Sequence, residues 1–491
     1  MSRPFSRRQA LLTGAAAALA APAAAAAAAA ASQAAPFVSR RPLVAQRRFA
    51  SLAVEAQIKR VKAKVADPEL AWLFENCFPN TLDTTVTLGE ANGKPDAFVI
   101  TGDIDCMWLR DSSAQVWPYL PLAAKAPELT TLFRGVIGRQ ARCILIDPYA
   151  NAYMRDPAAR TNLKWSQQDV TEMRPGVGER KWEIDSLCYP IRLAHGYWRA
   201  TRDPVPFDAE WRQAMTAVVR TFREQQRKTS PGPYVFQRPT TLATETLMLE
   251  GQGAPTRKVG LIHSMFRPSD DACVYPFLIP SNLFAAASLR QLSELATEVM
   301  GDAAFAADCA AFADEVTAAL QAHGQTRDAD GQPVWAFEVD GFGNALFMDD
   351  ANAPGLSSLA YLGCVPHDDP VFRRTVRLAW SQRNPYFFKG TAGEGIGGPH
   401  AGLDMIWPMS IIMRALNALA DGDDATVLAC LRTLKATHAG KGFMHEAFHK
   451  DDPSKFTRDW FAWANTLFGE LIVEIVERRP ALLARSLEAT A

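Results

Sequence analysis

Surplus charge of one sign is missing from these 491 residues. Lys and Arg number 52 against 53 Asp and Glu, for a formal net charge of -1. Nucleic-acid binding normally needs a basic face, so no nucleic-acid partner is expected. Closely spaced cysteines are missing too. The eight present, at 77, 106, 143, 188, 273, 309, 364 and 430, form no CxxC pair, which excludes the common zinc and redox motifs. No linker rich in Pro, Gly and Ser interrupts the body, and no fixed-period repeat is visible. A string of modules and a solenoid are therefore disfavoured. Beyond Ala31 no stretch is long and apolar enough to span a membrane.

What is present begins with a segment unlike the rest. Ser6-Arg7-Arg8-Gln9-Ala10-Leu11-Leu12 is a twin-arginine context, followed by an alanine-dominated run to Ala31. A positive start, a mildly apolar middle and repeated A-x-A sites predict an export signal over residues 1–35, with a periplasmic or extracellular destination. Alanine is a poor membrane residue, so no integral membrane segment is expected after signal removal. Residues 36–50, basic and proline-containing, are expected to lead into a single domain over 51–491, present as a monomer.

Helical signals dominate that domain. Asp67-Pro68-Glu69 reads as a cap, a proline at the first helical position and an early acid. Pro127 opens a run to Ile146. Ile184, Leu187, Cys188, Ile191, His195 and Trp198 share one face at helical spacing. Further helices are predicted over 206–226, from Ser281 as a cap, and over 303–322, 370–381, 409–420, 424–436 and 459–477. Short extended pieces fit 85–88, 97–101, 234–237 and 334–338. The pattern predicts an all-α domain of paired helices with short strands in the connectors.

The candidate chemistry sits between those helices. Gly102 to Tyr119 gathers three carboxylates, Arg110 and two tryptophans around a helix start. Arg110 and Asp111 offer donors and acceptors for vicinal hydroxyls, and Trp108 offers a flat apolar face for a sugar ring. Phe266-Arg267-Pro268-Ser269-Asp270-Asp271 supplies adjacent acids, and these could equally cap a helix. Met444-His445-Glu446-Ala447-Phe448-His449-Lys450 places a further carboxylate beside cations, which would keep it ionised. His400 follows four glycines, which lack the Gly-Lys-Ser/Thr ending of a phosphate loop. The acid pairs at 349–350 and 451–452 lack EF-hand spacing, so neither metal nor cofactor is expected.

These motifs, with Lys181-Trp182-Glu183-Ile184-Asp185-Ser186, Asn384 to Gly390, Gly398-Pro399-His400 and Phe461-Ala462-Trp463-Ala464-Asn465, resemble glycoside hydrolase family 125 from about residue 50 to residue 478. The resemblance implies an (α/α)6 barrel and a metal-free, inverting, exo-acting α-mannosidase that cleaves α-1,6-linked mannose from glycans. It implies that one of Asp270 and Asp271 is the general acid and that Glu446 is the general base. Trp108, Arg110, Asp111, Arg267, His400 and Asn465 are the expected sugar ligands. Asp105 and His263 depart from the pattern expected of many relatives and are expected to bear on aglycone preference. The alternatives are a related α-glycosidase of different sugar specificity and a non-catalytic glycan-binding protein. Intact carboxylate motifs favour an enzyme.

Overall fold

Twelve longer helices set the architecture of the computed structural model, which describes residues 37–487. The predicted export signal lies outside the described residues. The helices are α1 Leu52–Lys62, α2 Pro68–Cys77, α3 Leu109–Val116, α4 Pro127–Ile146, α5 Ile184–Thr201, α6 Ala209–Gln225, α7 Ile279–Leu295, α8 Ala303–His323, α9 Pro370–Ala379, α10 Pro408–Asp421, α11 Asp424–Ala436 and α12 Ala462–Arg478.

Burial sorts them into two rings. Every residue of α3 is buried, as are most of α5, α7, α10 and α12. A helix enclosed on nearly all sides belongs to the interior. Each of α4, α6, α8, α9 and α11 keeps a solvent face. The inner ring runs α3 to α5 to α7, and α10 to α12 and back to α3, with α2 packed on α12 at the closure. Between α7 and α10 the inner position holds only the short 3-10 turn Leu356–Ser358, which packs on α9 and α10. This is an (α/α)6 barrel.

The two rings start their helices differently. Ser51 and Asp67 cap α1 and α2, and Asp208, Asp302, Asp369 and Asp423 cap the outer helices α6, α8, α9 and α11 through their side chains. The inner helices follow Trp108, Glu183, Leu278, Trp407 and Phe461, none of which makes a side-chain cap. Their first N–H groups are taken up by other parts of the chain instead, Leu109 N by the Asn151 carbonyl, Ile184 N by Ser264 Oγ and Ile279 N by the Phe337 carbonyl, while their positive dipole ends face one end of the barrel. Asp111 and Asp185 lie in the first turns of α3 and α5, where that field favours an anion. Ser281 is no cap: α7 begins at Ile279, and Ser281 is buried two residues inside it.

Small antiparallel sheets hold the connectors at the same end. Met107–Trp108 pairs with Ala152–Tyr153, which pairs with Val177–Glu179. Met405–Ile406 pairs with Ala447–His449, which pairs with Asp452–Thr457. The extended piece predicted at 334–338 divides between two sheets, as Pro333–Trp335 and Glu338–Val339. That at 234–237 reduces to one bridge, Gln237 with Val170. The lead-in is firmly docked from residue 39 onward. Arg41, only 5 % exposed, reaches Asp83 at 2.7 Å and Glu55 at 2.5 Å, and these residues share one compact unit with the helices. No helix of the described residues is long and apolar enough to cross a membrane.

Candidate active site

The uncapped starts of the inner helices open on one cavity of about 680 Å³, a size ordinary for a small-ligand site. Trp108, Arg110 and Asp111 reach it from the start of α3, Lys181 from just before α5, Trp407 from just before α10, and Phe461 and Trp463 from the start of α12. Asp270, His400, Glu446 and Arg458 enter from connectors. The buried indole N–H groups of Trp108 and Trp407 have no acceptor among the described residues.

Asp270 is turned toward the cavity by its backbone. It stands at φ 66, in the left-handed region, inside a tight turn closed by the Phe266–Ala272 bridge. That conformation costs a non-glycine residue about 1–2 kcal/mol. It gives the two adjacent aspartates opposite outlooks: Asp270 lines the cavity and Asp271 does not. The pair therefore builds a turn rather than a helix cap. Lys181 Nζ donates to the Asp270 carbonyl at 2.6 Å, and Asn151 Nδ2 to its Oδ1 at 3.3 Å.

Behind Asp270 lies an excess of acid. Arg110 is 4 % exposed and is paired with Glu183, Asp185 at 3.4 Å, Asp270 at 3.2 Å and Asp111 at 3.5 Å. One guanidinium cannot neutralise four carboxylates, three of them buried, so the cluster favours holding a proton. Burial first, then the repulsion of Asp270 and Asp185, lifts Glu183 well above the usual range against the pull of Arg110. Burial likewise takes Asp185 to about 6. Burial would also lift Asp270, but Arg110, the hydrogen bond from Glu183, Lys181 and His400 together hold it at about 2. The carboxylate that meets the cavity is thus backed, one hydrogen bond behind it, by a glutamate whose protonated form burial favours.

Glu446 also lines the same cavity. It precedes the strand Ala447–His449 and has 12 % of its side chain exposed. Its cation is Arg458 at 3.3 Å, twelve positions along the chain. The near sequence neighbours do not serve: Lys450 pairs with Asp404 at 3.1 Å, and His445 stacks on Phe456. His400 lines the cavity too, with Nδ1 3.6 Å from Asp271 Oδ1. Burial opposes its charge, yet Asp271, with Glu446 and Asp270 behind it, raises it to about 9. It is a cation at neutral pH, set among the three candidate carboxylates.

Six expected residues therefore meet at the cavity: Trp108, Arg110, Asp111, Asp270, His400 and Glu446. Three expected ones do not line it. Arg267 is buried and engaged by Glu338 at 2.6 Å. Asn465 accepts from Met444 N at 2.7 Å and donates to Asn80 at 3.0 Å, so it braces the segment that carries Glu446. Asp271 stands behind His400. The two departures from the family pattern are also elsewhere. Asp105 is exposed and pairs with Arg155 at 3.3 Å, while His263 is buried on the Gln225 carbonyl and Thr256. The residues that sequence reasoning missed are Asn151, Glu183, Lys181 and Arg458. Glu183 and Lys181 sit in a quoted motif, but nothing in a sequence shows that a buried glutamate faces Asp270.

Glu245, Asp271 and His400 form a group of potential metal ligands within 4.8 Å of one another. The set does not suit a metal. Glu245 is held by Lys181 at 2.9 Å and Arg238 at 2.7 Å, so its carboxylate is already committed to two cations.

The family model for metal-independent α-mannosidases, glycoside hydrolase family 125, matches residues 67–473. A Streptococcus pneumoniae structure from a family of metal-independent α-mannosidases, solved in a non-productive complex with α-1,6-mannobiose, is 37 % identical. Its TM-score is 0.83, over 88 % of this chain and 100 % of that chain. The meiotically up-regulated gene 157 protein of Schizosaccharomyces pombe is 41 % identical over 463 residues, 91 % of this chain and 90 % of that protein. A further solved glycosidase, at TM-score 0.50 and 15 % identity over 83 % of this chain and 97 % of that chain, shares the fold alone.

Proposed function

Since the chain belongs to the metal-independent α-mannosidases of glycoside hydrolase family 125, we propose that it hydrolyses non-reducing terminal α-1,6-linked mannose from glycans, one residue at a time, with inversion. The observation that carries this reading is that one cavity holds two carboxylates with different partners, Asp270 backed by the acid cluster at Arg110 and Glu446 held by Arg458. Inverting hydrolysis needs a proton donor on one side of the sugar and a water-activating base on the other, with space between for the water.

Asp270 is the general acid. Its proton comes from Glu183, which is buried, hydrogen-bonded to it and raised in pKa. Glu183 gives its proton to the Asp270 carboxylate, and Asp270 then delivers that one proton to the leaving oxygen, which leaves Glu183 ionised. Glu446 is the general base, with the Arg458 guanidinium 3.3 Å away. Arg110 organises the acid cluster instead of gripping the sugar alone. Asp111, Trp108, Trp407 and His400 are placed to bind the terminal mannose. Export by the twin-arginine route, as a monomer, completes the proposal.

Proton NMR during early turnover of α-1,6-mannobiose tests it. β-Mannose is the expected first product, and Glu446→Gln is expected to lower kcat by at least about 10²-fold while sugar binding persists. α-Mannose as the first product would refute inversion and the role of Glu446. Equal cleavage of α-1,2 and α-1,3 mannobiose would refute the linkage choice.

A further inference from the structure

Burial grades the cavity from a closed end to an open one. Trp407 and Trp463 are 3 % exposed and Arg110 and Asp111 about as little, whereas Trp165, which lines the same cavity, is 45 % exposed. An exposed indole on a loop is often loosely held. This one is not. Its N–H donates to Glu179 at 3.1 Å, which fixes the ring plane. Its loop is fastened from three sides. Leu163 is buried against Cys106, Trp108 and Ala152. Thr161 and Ser166 both donate to the Gly178 carbonyl, at 2.6 and 2.8 Å. Asp169 receives Arg238 through two bonds, at 2.7 and 2.8 Å. A large apolar face is thus kept rigid and open to water at the mouth, where an uncommitted surface would carry a polar side chain.

The same anchoring leads to the acid. Glu179, which takes the Trp165 N–H, also accepts from Asn151 Nδ2 at 3.1 Å, and Asn151 Nδ2 meets Glu183 and Asp270 at 3.3 Å each. Trp165 therefore stands on the Asp270 side of the cavity, outside it. In an exo-acting enzyme that is the side on which the leaving sugar projects.

We propose that Trp165 is the stacking platform for the sugar that carries the leaving oxygen, with Lys164, Gln168 and Thr240 as its polar rim, and that this platform sets aglycone preference. The proposal rests on the mannosidase reading above and adds the leaving-group half of the site to it. The flat indole face takes the C–H face of a hexose, and the rim side chains, all cavity-lining, meet its hydroxyls.

The test compares a substrate with a leaving sugar to one without. Wild type, Trp165→Ala and Trp165→Phe are assayed on α-1,6-mannobiose and on α-mannosyl fluoride, whose leaving group is a single atom. Trp165→Ala is expected to lose at least about tenfold in kcat/KM on mannobiose and to stay within about twofold of wild type on the fluoride, with Trp165→Phe recovering most of the loss. Activity on the fluoride also reports that the variant is folded. Equal losses on both substrates would overturn the proposal, as would no loss on mannobiose. Wild type that splits neither compound would instead overturn the mannosidase reading and this inference with it.

Discussion

Replacing Asp271 by Asn should move the alkaline limb of the pH–rate profile while leaving the chemistry of the acid in place. Asp271 lies 3.6 Å from His400 and is foremost among the carboxylates that raise His400 to about 9 against the effect of burial. An opposite charge at about 4–6 Å moves a pKa by about 1–3 units. In the variant the His400 limb should therefore fall by about 1–3 pH units, toward the ordinary value of about 6.5. The sign follows from His400 acting as a cation. Its contribution is present below its pKa and lost as pH rises through it, near 9 in wild type. Stability has the same sign, because the folded-state pKa lies above the unfolded one. The His400 contribution is fully present below about 6.5 and disappears as pH rises through about 9. The assay is kcat/KM on α-1,6-mannobiose from pH 5 to 10, with the His400 titration followed by NMR and identified by its absence in His400→Gln. Near-normal activity at pH 6 with a steep loss by pH 8 is expected. An unmoved limb together with an unmoved His400 titration would refute the argument. So would a uniform loss at all pH values rescued by a good leaving group, since that would make Asp271 the acid itself.

Two further variants separate chemistry from scaffold. Asp270→Asn should lower kcat on mannobiose by about 10²–10⁴-fold but recover much of the rate on 2,4-dinitrophenyl α-mannoside, whose leaving group needs little protonation; equal losses on both would remove Asp270 from the acid role. Arg267→Met leaves Glu338 with the backbone N–H groups of Val274 at 2.9 Å and Tyr275 at 3.0 Å but no cation, so a stability loss of about 3 kcal/mol is expected, the low end for a broken buried pair. Over roughly 450 folded residues at about 2.1 cal/mol/K each, that is about 3 °C in Tm, with KM unchanged; a raised KM at unchanged Tm would return Arg267 to the sugar site.

Much was readable in the one-dimensional pattern because its causes are local. Asp67-Pro68, Pro127 and Asp424 marked helix starts near where they occur, since a cap or a first-turn proline acts within a few residues of itself. The motif order carried the family. The loop residues Asp270, His400 and Glu446 carried the candidate chemistry, because charged groups in connectors between apolar helices need a reason to be there. Where reading failed, the cause was tertiary. Ser281 looked like a cap because inner helices start without one, and that is visible only once the inner ring is known to surround a cavity. Lys450 looked like the partner of Glu446, but the paired strands bring in Arg458 instead. Arg267 sits beside the acids in sequence and is turned away to Glu338 in space.

The sequence by itself determined the helices, the chain-wide order of motifs and the residue types available for catalysis, all of which depend on neighbours a few positions apart. Only the tertiary structure decided which of two adjacent aspartates meets the cavity. It also placed Glu183 behind Asp270, 87 positions away along the chain, where burial and charges that no local pattern contains favour its protonated form. A pKa belongs to an environment, and the environment is made by the fold.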